Sequence, residues 1–338
     1  MPSPADPAAA AHRAWRVHRR GTPAEALALD TVGSRAPGPG EVQVEIAAVG
    51  LNYPDLLLCA GRYQERPELP FAPGYEAAGV VGAVGPGSAL AVGRPVLVVP
   101  ELPDGALQER LTLPESQVYA VPEAMPMAVA AVLHIAYQTA HVALHRRAGL
   151  RAGEWVLIDG AAGGVGSAGI QLARAAGARV IAVATGAAKQ EACRAWGAEV
   201  VIDSADPELA AAVRAATGGH GADVVLDVVG GDVFDRARRA VAFEGRIVVL
   251  GFTGGIPEVR ANHVLLRNYS VVGLHLATYR REEPALLRAV HAELVDLWAA
   301  GRIAPHVHRE LPFDQAVEGL GLIADRSAIG RVVLTVSP

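Results

Sequence analysis

Residues 155–169 read WVLIDGAAGGVGSAG. A short apolar run enters a glycine-rich loop, and the loop enters a helical pattern that continues as IQLARAAG. Gly160, Gly163 and Gly166 stand in a GxxGxxG frame, a variant of the fingerprint that seats a pyrophosphate. Glycine is required where the backbone turns sharply and where it approaches a phosphate closely. The helix that follows offers free N–H groups and a partial positive charge to that phosphate. Such a loop also arises from tight packing alone; its place between a strand and a helix is what points to a dinucleotide. The backbone of Gly163, Gly164, Val165 and Gly166 is therefore the expected pyrophosphate contact. Asp159 is the unexpected residue, since a carboxylate there repels a pyrophosphate unless it is turned away.

The pattern repeats towards the C-terminus. RVIAVAT (179–185), EVVID (199–203), ADVVLDVVG (222–230), RIVVLGF (246–252) and SVVGLHL (270–276) are runs rich in Val, Ile and Leu, with helical patterns between most of them. Near-continuous apolar strands are buried on both faces, and strand–helix alternation predicts an α/β domain with a doubly wound parallel sheet of six strands. Upstream, residues 41–120 show short β-like runs broken by Gly and Pro, which predicts a small β-barrel or sandwich with little helix before about residue 123. Beyond 280 come a long amphipathic helix, a second helix DQAVEGLGLIADRS and a last strand GRVVLTV, outside the six-strand series. The expected division is a disordered lead over 1–12, a first domain over 13–128, a dinucleotide domain over 129–277, and a return to the first domain over 278–338.

Composition bounds the function. A chain of 338 residues is too long for one compact core and suits two domains. With 51% hydrophobic and 19% charged residues it has enough apolar side chains for well-filled interiors. A net charge of -5 and 5% aromatic residues argue against a nucleic-acid surface. No apolar run approaches the ~18 residues of a membrane span, and the first residues lack the apolar core of a signal peptide. Cys59 and Cys193 form no framework and read as thiols of a reducing compartment, so the expected location is the cytoplasm.

The choice between NADH and NADPH falls at the end of the second strand. An acidic residue there binds a ribose 2′-hydroxyl and repels a 2′-phosphate. This chain reads VATGAAKQ (183–190), with no acid; Thr185 offers a hydroxyl, and Lys189, the single lysine of the chain, offers a cation. NADPH is the expected cofactor.

GLNYPDLLLCAGRY (50–63), PFAPGYEAAGVVGAVG (70–85), the loop region 160–184 and EGRIVVLGFTGGIPEVRANHVLLRNYSVVG (244–273) resemble the quinone oxidoreductases among the zinc-independent medium-chain dehydrogenases/reductases. The resemblance implies a GroES-like β-barrel catalytic domain, an inserted Rossmann domain, an active site in the cleft between them, and a homodimer paired through the edge strand 270–276. It implies that Asn52 hydrogen-bonds the oxygen of a quinone or enone, that Tyr63 donates a hydrogen bond or a proton, and that Tyr53 is a lesser candidate. Asp55 braces the loop. Thr139 approaches the nicotinamide. The segments at Gly251, Phe252, Thr253 and Leu274 hold the carboxamide, and Arg326 reaches the 2′-phosphate. Ser204 stands where a phosphate-binding tyrosine is often found. The related alcohol dehydrogenases carry zinc ligands where this chain has Asn52, Tyr75 and the stretch before Thr139, so no metal is expected. An electron-poor acceptor takes hydride without a Lewis acid if it is well placed. Two other readings share the scaffold: reduction of acryloyl-CoA or another enone, and a non-catalytic NADPH-binding redox sensor.

Overall fold

The computed structural model describes residues 11–336. It divides into two compact units, residues up to His134 together with Val307 onward, and Ile135–His306. No helix among the described residues is long and apolar enough to cross a membrane.

The second unit carries the six-stranded sheet. Its order is Val200–Asp203, Arg179–Ala184, Trp155–Ile158, Ala222–Asp227, Val241–Val249 and Ser270–Gly273, all parallel. The chain starts in the middle at Trp155–Ile158, winds outward two strands, then returns beside its start and winds the other way. Ile181, Leu157, Val225 and Ile247 sit side by side across four strands, and all are fully buried. Burying each such side chain contributes roughly 1.5–3 kcal/mol, so this row pins the register. The point where the winding reverses lies between Trp155–Ile158 and Ala222–Asp227, and ligands of such sheets bind at that point, beyond the strand C-termini.

Two boundaries differ from the sequence reading. The last strand stops at Gly273, and Leu276–Glu282 is helical, so the stretch 270–276 is only half strand. The chain leaves the second unit at 307 rather than 278. Helix Pro284–Ala299 buries Leu287, Val290, His291 and Leu294, one helical face, and the Gln138 side chain donates to Leu287 O at 3.0 Å. Ala304 N donates to Gln171 Oε1 at 2.6 Å. These contacts hold the whole helix to the dinucleotide unit. At the other boundary, helix Met127–Ala130 lies in the first unit, and the second begins with helix Ile135–His141.

The first unit contains a seven-stranded sheet ordered Val307–Pro312, Arg331–Thr335, Glu41–Leu51, Glu76–Val84, Pro95–Val98 and Val118–Ala120, with Arg110–Pro114 joined to Glu41–Leu51. An antiparallel pair, Ala11–Val17 and Leu27–Gly33, stands apart from it. Strand pairing runs as a path with one branch, and no closed ring of a barrel is seen in it among the described residues. Of the expected lead over 1–12, residues 1–10 lie outside the described residues, and Ala11 and His12 begin a strand. A helix, Tyr53–Ala60, interrupts the stretch read as β-rich with little helix. Asn52 is its N-cap, Pro54 lies in its first turn, and Gly61 ends it at φ 68°, a left-handed conformation suited to glycine.

Candidate active site

In the second unit the glycine loop follows strand Trp155–Ile158 and leads into helix Gly164–Ala175. Gly163 N donates to Gly160 O at 2.9 Å, closing a tight turn, and Ala161 N donates to Val183 O at 3.2 Å, tying the loop to the second strand. Gly166 must lack a side chain: a Cβ there would stand 2.4 Å from Gly160 O and 2.6 Å from the Ala161 Cα. The loop is thus pressed onto the first helical turn, whose leading N–H groups have no intrahelical partner. This is a cradle built to let an anion approach backbone, and it fits a dinucleotide pyrophosphate.

Asp159, at the mouth of this loop, has a partner that its sequence position did not reveal. Its Oδ1 accepts from Val228 N at 2.7 Å and Val229 N at 3.0 Å, turning the carboxyl away from the loop. Asp227, at the end of the fourth strand, accepts from Gly230 N at 2.9 Å. Both residues are buried, and each has its Oδ2 inside the protein with no hydrogen-bond partner among the described residues. Burial raises the proton affinity of both, and the neighbouring Asp227 charge raises that of Asp159 further.

The adenosine end is set by the second and third strands. Thr185 and Ser204 touch through their hydroxyls just beyond the paired strands Arg179–Ala184 and Val200–Asp203. Lys189 lies in the first turn of helix Ala187–Trp196 and is half-buried. Asp203, which the sequence reading passed over, is the acid nearest this cluster in sequence. It is engaged internally, accepting from Gln190 Nε2 and Ala205 N, both at 2.8 Å. Its position at the end of a strand was the available signal. Arg326 belongs to the first unit, on the exposed turn after helix Ala316–Ala324, with φ 60°.

Of the remaining cofactor candidates, Gly251–Thr253 and Leu274 follow the C-terminal ends of two neighbouring strands of the sheet. Gly251, Phe252 and Thr253 follow strand Val241–Val249, and Gly254 N donates to Val229 O at 2.7 Å. Gly230 and Gly231 have φ 71° and 50°, and a Cβ on either would strike the Gly255 or Gly254 carbonyl, so these two loops lie in backbone contact. Leu274 N donates to Val249 O at 3.1 Å. Thr139 donates its hydroxyl to Ile135 O at 2.6 Å, one turn back in its own helix, and so keeps acceptor capacity only.

In the first unit the returning strand Arg331–Thr335 pairs with the end of Glu41–Leu51, and this brings Arg331 to residues 52 and 76. Glu76 is fully buried. Its Oε1 accepts from the Arg331 guanidinium at 2.5 Å and from Asn52 Nδ2 at 3.2 Å; its Oε2 accepts from His134 N at 3.1 Å. Asn52 Nδ2 also donates to Gly50 O at 3.1 Å. Both amide hydrogens of Asn52 are therefore used inside the protein. The residue expected to donate to an acceptor oxygen has instead only acceptor capacity, because Glu76 and Gly50 O take its hydrogens. Asp55 accepts from Asn52 N at 2.8 Å and Gly74 N at 3.1 Å. Burial pushes its carboxyl up to about 7, against the pull of those two hydrogen bonds. Tyr63 packs edge-on to Tyr75, with ring centroids 5.9 Å apart. Tyr53 opens helix Tyr53–Ala60 and is 36% exposed.

The sequence matches two domain families, the alcohol dehydrogenase GroES-like domain over residues 38–123 and the zinc-binding dehydrogenase domain over residues 164–292. It is 34% identical over 304 residues to the quinone oxidoreductase-like protein 2 homolog of Nematostella vectensis, covering 88% of this chain and 82% of that one. The chain belongs to the quinone oxidoreductase type of medium-chain dehydrogenase/reductase. Among solved structures, this reductase superposes on mycobacterial Rv1454c complexed with NADPH, at TM-score 0.89 and 31% identity over 96% of this chain and 99% of that one. It also superposes on CurK enoyl reductase at TM-score 0.87 and 28% identity, over 96% and 99% of the two chains. One family name mentions zinc, yet among the described residues of the reductase no group of three or more His, Cys, Asp and Glu side chains can hold a metal ion.

Proposed function

We propose that this reductase binds NADPH and transfers hydride to a quinone or a related electron-poor carbonyl without a metal. The observation that carries the reading is the pairing of a dinucleotide cradle, closed by Gly166, with a basic, acid-poor adenosine end at Thr185, Lys189 and Ser204. The likeness to an NADPH-bound neighbour supports the cofactor. NADPH, when bound, supplies the hydride; the overall reaction is quinone plus NADPH plus a proton, giving quinol and NADP+.

The chain's own residues bind, orient and protonate. Gly163, Gly164, Val165 and Gly166 hold the pyrophosphate through backbone N–H groups. Lys189 and Arg326 supply cations for the 2′-phosphate, with Thr185 and Ser204 as hydroxyl partners. The backbone around Gly251, Phe252, Thr253 and Leu274 holds the carboxamide, and Thr139 accepts from it. Tyr63, with Tyr53 as the lesser candidate, donates to the acceptor oxygen as negative charge develops there. Cys59 and Cys193 take no part: both are buried free thiols, pushed up by burial to about 12 and about 11, so neither is a thiolate at neutral pH. Buried free thiols support a reducing, cytoplasmic location. We further propose a homodimer formed through the outer edge of strand Ser270–Gly273.

The likeness to an enoyl reductase supports a second reading, in which the acceptor is an enone or its CoA ester. Loss of NADPH absorbance with a small quinone, an enone and acryloyl-CoA, against NADH and enzyme-free controls, separates the readings. Rapid quinone turnover with NADPH, and a Lys189→Ala variant that loses about tenfold in NADPH affinity but little in NADH affinity, is the expected result. Preference for the CoA ester moves the function to enoyl reduction. Tight NADPH binding with no turnover of any acceptor points to a sensor.

A further inference from the structure

We propose that Asp159 and Asp227 form a proton site coupled to the dinucleotide: the pair takes up a proton when NADPH occupies the glycine-loop cradle. The proposal rests on the reading that this cradle holds the cofactor. Ile158 pairs with Leu226 in neighbouring parallel strands, so the next residues, Asp159 and Asp227, stand side by side where the two strands end. They are 1% and 0% exposed. One oxygen of each is satisfied: Asp159 Oδ1 by Val228 N and Val229 N, Asp227 Oδ1 by Gly230 N. The other oxygen of each, Oδ2, is buried with no hydrogen-bond donor among the described residues. No cation stands among the groups that act on either carboxyl. In the surrounding strands Arg179, Asp223, Glu244 and Arg246 lie towards the opposite ends, level with Trp155 and Val224 or before them. In the helices, Arg174 is in the last turn of Gly164–Ala175, Lys189 opens Ala187–Trp196, and Asp232 opens Gly231–Ala237. Asp235 is held by Arg238, Arg236 by Asp206 O, and Asp203 by Gln190. Two buried carboxylates, each with an unmet oxygen and no counter-ion, are unfavourable when both are charged. A proton on the pair relieves this, and burial raises the affinity of both groups for it.

Backbone joins this pair to the cradle. Asp159 runs directly into Gly160, whose carbonyl accepts from Gly163 N at 2.9 Å and would stand 2.4 Å from a Cβ on Gly166. The 228–230 turn, which both carboxyls hold, lies against the same loop: a Cβ on Gly160 would meet Val229 Cγ2 at 3.2 Å. The turn also carries the 251–255 loop, through Gly254 N to Val229 O at 2.7 Å and Gly231 N to Gly255 O at 2.9 Å. A pyrophosphate over the glycine loop brings negative charge towards the pair through an interior that screens weakly. A like charge favours the protonated carboxyl. The coupling is reciprocal: if the dinucleotide strengthens proton binding, the proton strengthens dinucleotide binding by the same factor. NADPH affinity therefore falls as pH rises and the free pair gives up its proton.

Titration calorimetry of the native protein with NADPH tests this between about pH 7 and about pH 9, above the ~6 at which a phosphate monoester itself titrates. Repeating each titration in buffers of different ionisation enthalpy counts the protons taken up on binding. The expected result is a net uptake of up to about one proton per NADPH, with affinity falling by up to about tenfold per pH unit where uptake is largest. Asp159→Asn keeps an oxygen for Val228 N and Val229 N and cannot titrate. It is expected to bind NADPH with level affinity and without proton uptake over the same range. Asp227→Asn, which keeps an oxygen for Gly230 N, makes the same comparison if Asp159→Asn does not fold. A pair that only braced the turn would change affinity in these variants and leave the proton count as it was. Native binding without proton uptake at any pH, which needs no variant to observe, overturns the proposal and leaves the cofactor reading standing. Equal uptake in native protein and variant does the same. No NADPH binding at any pH overturns the cofactor reading, and this proposal with it.

Discussion

Asp55 is a carboxyl cut off from water, holding two backbone amides from residues that neighbour the candidate site. Burial raises its proton affinity, to a pKa of about 7, above the ~3.9 of an unfolded chain. A raised folded value means that the folded state binds the proton more tightly. Its contribution to stability is therefore complete below about pH 4 and is lost as pH rises through about 7. Asp55→Asn cannot titrate, so its melting temperature is expected to fall less than that of the native protein between pH 5 and pH 8. Equal slopes in calorimetry would show that Asp55 is ionised throughout. The resemblance named Asp55 as a brace for its loop; the structure shows how, with its carboxylate at the third position of a helix reaching back to the N-cap amide. The resemblance did not show what Asn52 would donate to, because Glu76 and Arg331 lie 24 and 255 residues from their partners and meet only through sheet pairing.

Among the elements, two neighbouring strand ends decide the shape of the cofactor side. Asp159 and Asp227 each tie down backbone amides of the 228–230 turn, and burial raises the proton affinity of both. Both carry raised proton affinities, so the pair stabilises the fold while it keeps its proton and weakens it as pH rises and that proton leaves. Asp159→Asn cannot titrate and keeps a side-chain oxygen to accept from Val228 N and Val229 N. Urea denaturation is expected to show a stability loss as pH rises above the ordinary carboxylate range in the native protein and a flatter profile in this variant. Gly166→Ala tests the loop itself. The added methyl gains ~1 kcal/mol in helix propensity but meets backbone atoms that cannot swing aside. A net loss of about 1–2 kcal/mol and at least tenfold weaker NADPH binding are expected, by denaturation and by fluorescence titration. The Val- and Ile-rich strands of this sheet were legible because both of their faces are covered. Helix Tyr53–Ala60 was not, because eight residues carrying a proline and the run LLLCA give too short a period to tell from a strand. Strand Val307–Pro312, with His308, Arg309 and Glu310 among its six residues, was hidden for the opposite reason.

The molecule as a whole presents one sheet edge that invites a partner. Strand Ser270–Gly273 ends the six-strand order and has no neighbour on its outer side among the described residues. Leu265 and Leu266, in the helix just before it, are 76% and 75% exposed, and Phe243 and Ile256 are exposed as well. Apolar side chains beside an open strand edge suit pairing with a second copy. Sedimentation of the native protein is expected to give twice the 35.0 kDa chain mass, and Leu265→Glu with Leu266→Glu to give a monomer with NADPH binding retained. A native monomer would remove the dimer proposal.

The dinucleotide side of this protein was written in the order of its residues: the strand–glycine loop–helix unit, the parallel alternation, and the absence of an acid after the second strand. Those signals are local, carried by residues within one turn or one period of each other. What surrounds them was settled by packing. It returned the chain to the first unit at 307 instead of 278, turned the Asp159 carboxyl onto the amide of Val228, and made Asn52 an acceptor. Each depends on a partner brought in by strand pairing or helix packing, across separations of up to 255 residues. A side chain's identity states which hydrogen bonds it can make; only its neighbours in the fold decide which of them remain for a ligand.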